Sequence, residues 1–253
     1  MRILIDQKEF TIDELKAWKK KRRKKVLHNL KSDITGDENT DEKCLELKLK
    51  YSYEDMIKLL HKKLFIGTVG MKIASFISFG KRRNAITVIY VDGIDAKTMN
   101  EKVDELMLKN REEYKRANLN VCPDHYVLNP HNGILEVIET TGCAPVPTQF
   151  FITFNDERGI KEPRDLNYEY QSTGVAKLKD GTIIGGVRHQ FKNTDKGVKA
   201  RLLVEFPIIC PKILIREHQK HLAAEWSGWI SWILKEEQVK SQLEHSERKE
   251  GKE

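Results

Sequence analysis

His221 and Glu225 stand four residues apart in a stretch, residues 213–234, whose apolar spacing predicts a helix. That separation sets an imidazole and a carboxylate on successive turns of one face, with His218, Trp229 and Trp232 beside them. Two such side chains can reach one metal ion, as helical His-x-x-x-His pairs and helical carboxylate sites do. Zinc, or another divalent ion of borderline character, accepts both donors, and a catalytic zinc needs about three protein ligands and one open position. At least one further ligand must therefore come from another element. His189 is the candidate: in the segment 187–191, strand alternation puts Val187, His189 and Phe191 on one face. On a concave face His189 looks at the helix; on the outer face it is solvated.

Glu136 and Glu139 are candidate general acid/base groups or a further ligand. They stand three positions apart on a predicted strand, so one points inward and the other outward. Phe151, Phe154 and Trp229 are candidates for the wall of a site for an aromatic substrate, and equally serve as plain core. Arg188 and Arg201, on adjacent predicted strands, can bind an anionic group or face solvent. Asn155, Asp156 and Glu157 form a polar cluster of the kind that ends an element. Neither a phosphate-cradling glycine loop nor a Gly-x-Ser-x-Gly elbow occurs, which removes support for nucleotide-dependent transfer and serine hydrolysis.

The elements that must position these groups fall into three parts. Residues 1–42 read as a helical N-terminal extension and linker, opened by a capping box at Thr11 and Glu14. Residues 43–235 read as one α+β domain. Helical patterns cover 44–60 and 96–114, a β-branched run covers 85–91, and strands and turns follow, with hairpin turns at Asp180-Gly181 and near Gly197. Residues 149–154 fit a short helix or a strand. Residues 236–253 read as a polar, fraying tail. Helices, then antiparallel strands, then a Trp-rich helix predict a helix-grip (START/Bet v1-like) fold, a curved sheet closed over a C-terminal helix around an elongated cavity.

At 253 residues the chain can bury a sizeable core. Its net charge of +7 traces largely to residues 19–25, all Lys or Arg. Such a tract reads as a solvated, mobile arm, or as a contact for nucleic acid or an anionic membrane. It lacks the interleaved aromatics that single-strand binding favours. Residues 64–79 are apolar but too short to span a bilayer, with Lys72 near the middle, and suggest a buried helix or two elements broken at the glycines. Four scattered cysteines without a Cys-x-x-Cys spacing or a secretory leader predict a reduced, cytoplasmic protein.

The segment His221-Leu222-Ala223-Ala224-Glu225-Trp226 resembles the His-x-x-x-Glu-aromatic helix of the diacetylphloroglucinol hydrolase and phloretin hydrolase family. The order Tyr126-Val127-Leu128, Asn132-Gly133, the strand from Glu136, the Phe150-Phe151-x-x-Phe154 run and the His189 strand adds to the likeness over residues 124–235. The resemblance implies a helix-grip fold and metal-dependent hydrolysis of a carbon–carbon bond next to an aromatic ketone. The chain departs from it where the family's aromatic run is followed by a histidine ligand, since Asn155 stands there, and the family's second carboxylate has no evident counterpart.

Two functions follow as expectations. One is a hydrolase in which His221, Glu225 and His189 hold a divalent ion and Glu139 or Glu136 moves protons. The other is a non-catalytic carrier of a lipid, polyketide or similar hydrophobic molecule in the same cavity. A third gives the basic arm the leading role; removing residues 1–42 would then abolish binding, whereas under the first two it would leave the pocket intact.

Overall fold

The structure, a computed structural model, describes residues 1–32 and 40–250, with side chains up to 240 and at 242. It is an α+β fold. The nine strands are β1 (Arg2–Ile5), β2 (Lys8–Glu9), β3 (Arg82–Asp92), β4 (His125–His131), β5 (Ile134–Glu139), β6 (Thr148–Phe154), β7 (Tyr170–Lys177), β8 (Ile183–Thr194) and β9 (Gly197–Pro207). They form one curved antiparallel sheet in the order β2-β1-β3-β9-β8-β7-β6-β5-β4. Six helices are described: α1 (Ile12–Asn29), α2 (Asp41–Leu49), α3 (Tyr53–Ile77), α4 (Ala96–Leu108), α5 (Glu112–Val121) and α6 (Lys212–Glu250).

The turn chemistry explains the strand order. Gly181, with φ +85°, closes the β7–β8 hairpin, and Asn132 and Gly133, both at positive φ, close β4–β5. Residues 149–154 form a strand rather than a helix, paired on both sides by β5 and β7. Two predicted helices are each divided. Ser52 caps the start of α3 and so separates it from α2, and Lys109, extended, ends α4 before α5 begins.

The N-terminal residues are not a separate extension. β1 pairs with β3, so that Ile3 lies opposite Ile89, and Leu15 and Trp18 of α1 join the main core. Val26, Leu27 and Leu30 form a second core with Leu60, Leu64, Tyr126 and Ile138 on the other face of the sheet. The capping box forms as its sequence requires: Thr11 Oγ1 accepts from the Glu14 amide and Glu14 accepts from the Thr11 amide. The basic tract is a helical segment with Arg22 and Arg23 buried, because its positive groups are matched internally: Arg22 to Asp124, Arg23 and Lys19 to Asp41, Lys25 to the Ala144 carbonyl. Of the predicted linker, residues 33–39 lie outside the described residues. The predicted tail continues α6 to Glu250, and residues 251–253 lie outside the described residues.

Residues 64–77 belong to a single helix, α3, despite two glycines. Gly67 is there because α3 sits directly on the backbone before β6; a Cβ at 67 would lie 2.3 Å from the Pro147 carbonyl oxygen. Only one face of this run is buried, whereas burial of the whole run was expected. Among the described residues no helix is long and apolar enough to cross a membrane. Between the inner face of the sheet, α4 and α6 lies a cavity of about 100 Å³.

Candidate metal centre

Four elements bring titratable groups to one end of this cavity. α6 supplies His218, His221 and Glu225; β4 supplies His125; β5 supplies Glu139; the turn between α5 and β4 supplies Asp124. On β5 the odd spacing resolves as geometry demands: Leu135, Val137 and Glu139 face the cavity, and Glu136 faces away. On β4 the register shifts between His125 and Val127, so that His125 and Leu128, three apart, both face inward.

The donor atoms of four side chains crowd one point. His125 Nε2 lies 3.1 Å from His221 Nε2, 3.2 Å from Glu225 Oε2 and 3.7 Å from Glu139 Oε2. His221 Nε2 lies 3.4 Å from Glu225 Oε2 and 3.6 Å from Glu139 Oε2. A tetrahedral ion with ligands at about 2.0–2.2 Å has its ligand atoms about 3.3–3.6 Å apart, so five edges of the figure already approximate such a cage. Among the described residues two overlapping buried groups, Cys122-His125-His221 and Glu139-His218-His221, bring their ligand atoms close enough together to hold a metal ion, and Glu225 adjoins both. Cys122 approaches from the other side of the His221 ring: its sulfur lies 3.7 Å from Nδ1 of His221, the nitrogen turned away from the other donors, and burial raises its pKa.

The tautomers fit that reading. His125 Nδ1 donates to the Asn118 carbonyl oxygen at 2.8 Å, which leaves the Nε2 lone pair facing the cluster. His221 Nδ1 faces the Asp124 carboxylate at 3.8 Å, and Asp124 is clamped by Arg22 through two bonds of 2.7 and 2.8 Å. A carboxylate behind a histidine fixes its ring and raises its basicity toward an ion on the other side. Asn118 serves twice, since its side-chain oxygen also accepts from Trp229 Nε1 at 2.9 Å.

Charge accumulates accordingly. Burial disfavours the His221 imidazolium, but the acidic groups around it, Glu139 and Asp124 with the Cys122 sulfur, outweigh burial and hold the His221 pKa well above the usual value. Burial likewise opposes ionisation of Glu225, yet hydrogen bonds from His125 and His221, made when their Nε2 atoms carry protons in place of an ion, drive its pKa far down. Burial dominates at Glu139 and raises its pKa, with the two imidazoles only partly offsetting it. Two nitrogen lone pairs and two carboxylates meeting in a sealed space require cationic compensation, by protons or by a metal ion.

The remaining sequence candidates separate by face. His189 lines the cavity, but packs edge-on against Trp226 at 4.8 Å between centroids rather than joining the cluster; its Nδ1 has no partner, and burial lowers its pKa to about 4. Phe154 and Trp229 line the cavity. Three candidates point the other way. Glu136 accepts from Tyr53 and Gln149 under α3, Phe151 is paired opposite it on that same face, and Arg188 is committed to Glu157 and Gln171. Alternation explains each, since Leu135 and Val137, Phe150 and Ile152, Val187 and His189 are the inward neighbours. Arg201 is likewise spent on Glu162. Asn155, where a ligand histidine was sought, is a turn residue at φ +58°. His125 and Arg22 were not foreseen as site residues. The only signal was the packing of Cys122, Asp124 and His125 into four positions before a predicted strand.

These features define an α+β protein with a buried candidate metal centre at the wall of an apolar cavity. No family model and no curated protein matches the chain. Among solved structures it is similar to the crystal structure of protein Ms6760 from Mycobacterium smegmatis, with 10% identity, covering 59% of this chain and 88% of that one at a TM-score of 0.31.

Proposed function

We propose that the chain is a metal-dependent hydrolase of helix-grip architecture acting on a small apolar or aromatic ketone. The supporting observation is the cage of His125, Glu139, His221 and Glu225, three of whose members also line the apolar cavity. The motif likeness around His221 points to hydrolysis of a carbon–carbon bond beside the ketone. A zinc-like ion held there supplies Lewis acidity to a carbonyl oxygen or to a water molecule. The protein's own part is to aim both Nε2 atoms through Asn118 and Asp124, and to enclose a ring between Phe150, Phe154, Trp226 and Trp229 while excluding bulk water. His218 stacks on His221 at 4.9 Å between centroids, is held neutral by burial and the neighbouring His221 charge, and keeps Nδ1 unpartnered; it can exchange a proton at that atom. Four free cysteines, three of them buried, suit a reducing cytoplasm.

Elemental analysis of the purified chain tests this: about one zinc-like ion per chain, lost in His221→Ala, together with cleavage of an acylphenol probe that stops in the same variant. The apolar lining also suits a carrier of a hydrophobic molecule. Native mass spectrometry that finds a retained apolar ligand and no metal would favour that reading.

A further inference from the structure

The outward face of α3 is apolar where a surface helix is normally polar. Phe65, Ile66, Val69, Ile73, Phe76 and Ile77 recur at helical spacing, with Phe65 70% and Phe76 77% exposed, and Phe79 just beyond the helix is 84% exposed. Ile209, also exposed, donates its amide to Ser78 and so extends the patch at the helix end. A contiguous apolar surface of this kind marks a docking site. From residue 56 to residue 81 every charged side chain is basic, with Glu54 and Asp55 in the first turn of α3 before that stretch. Lys58 and Lys62 precede the stripe on the same side of the helix and Lys81 follows it, all exposed and without an ion pair among the described residues; Lys72 flanks it, paired with Asp180.

We infer that this face lies on an anionic lipid surface, with the phenylalanines and isoleucines sunk among acyl chains and the lysines among headgroup phosphates. A helix with a one-sided apolar stripe and a lysine border is what interfacial docking requires, and α3 does not have the all-round apolarity of a spanning helix. The opposite face of α3 touches the cavity, since Met71 lines it and Leu64 and Gly67 are buried. Docking would therefore set the cavity against the membrane, where apolar molecules partition. A second copy of the chain is the rival occupant, since Glu54 and Asp55 at the start of α3 could meet the lysines of an antiparallel partner, and the dimer readout below separates the two.

The test is cosedimentation of the full chain with vesicles of phosphatidylcholine alone or mixed with phosphatidylserine. Binding should favour the mixed vesicles by about tenfold or more and weaken in high salt. Phe76→Ser combined with Phe79→Ser, both exposed and so tolerated by the fold, should weaken it by about tenfold or more. Lys58→Glu with Lys62→Glu should abolish the preference for the anionic lipid. Unchanged binding by the phenylalanine variant, or a wild-type dimer that this variant splits, would overturn the inference. None of these readouts depends on a metal or on catalysis.

Discussion

At the scale of single residues, Asp124 decides whether His221 is a ligand or merely a buried imidazole. It is fully buried, bonded twice by Arg22, and faces the His221 nitrogen that points away from the cluster. Asp124→Asn should weaken metal affinity about 10- to 100-fold while leaving all four donors in place, as read by competition with a chromogenic chelator. It should also cost roughly 3 kcal/mol in urea unfolding, because Arg22 stays buried without its counter-charge. An Asp124→Asn protein with wild-type metal affinity would remove Asp124 from the centre. His189 titrates on its own account. Its folded pKa of about 4 lies below the unfolded value of 6.5, so the unfolded chain binds the extra proton between those limits. The stability that comes from keeping His189 neutral is therefore complete above about pH 6.5 and lost as pH falls toward 4, a swing of at most about 3 kcal/mol. His189→Phe should lose less stability than the wild type between pH 7 and pH 4.5; equal losses would mean that the ring is not buried as a neutral group. Three of the four cage residues were legible at this scale. His221 and Glu225 announce themselves through a helical spacing of four, and Glu139 through strand parity, but His125 faces inward only because β4 shifts register beside it, and no local pattern encodes that shift.

Among the elements, α3 shows how one glycine can be required and its neighbour idle. At Gly67 a Cβ would meet the Pro147 carbonyl oxygen at 2.3 Å and Thr148 Oγ1 at 2.7 Å, so the helix would have to lift from β6. At Gly70 nothing lies within 4 Å. Alanine gains about 1 kcal/mol of helix propensity at either position, but at 67 the clash, about 1–3 kcal/mol or more against rigid backbone, wins. Gly67→Ala should therefore destabilise and Gly70→Ala stabilise, each read from the denaturation midpoint; the same sign for both would mean that α3 is not seated on β6. The sequence made the hairpins and α6 legible because Asp-Gly turns and long apolar periods are local signals. It hid the divisions between α2 and α3 and between α4 and α5, where a cap at Ser52 and an extended Lys109 interrupt patterns that otherwise run on.

Across the whole molecule, the basic tract is the clearest instance of tertiary context overriding composition. Residues 19–25 read as a solvated arm, yet Arg22 reaches about a hundred residues along the chain to Asp124, and Trp18 of the same helix donates to Glu217 of α6 at 2.8 Å. Removing residues 1–31 would strip β1 from the edge of β3, take Leu15 and Trp18 out of the main core, and leave Asp124 without Arg22. The fold around the pocket would lose part of its support, contrary to what a detachable arm allows. The same connectivity makes metal binding a stability measurement on the entire fold. The cage draws on α6, β4 and β5, which are brought together only in the folded chain, so an ion that binds there stabilises the native state against the unfolded one. At about 100 times its dissociation constant the gain is roughly 2.7 kcal/mol, which for a chain of this size corresponds to a rise in Tm of about 5–10 °C. Calorimetry with and without a zinc salt, after prior chelation, should show that rise in the wild type and none in His221→Ala. A shift of equal size in both proteins would place the ion elsewhere on the chain and leave the four donors as a proton-sharing network.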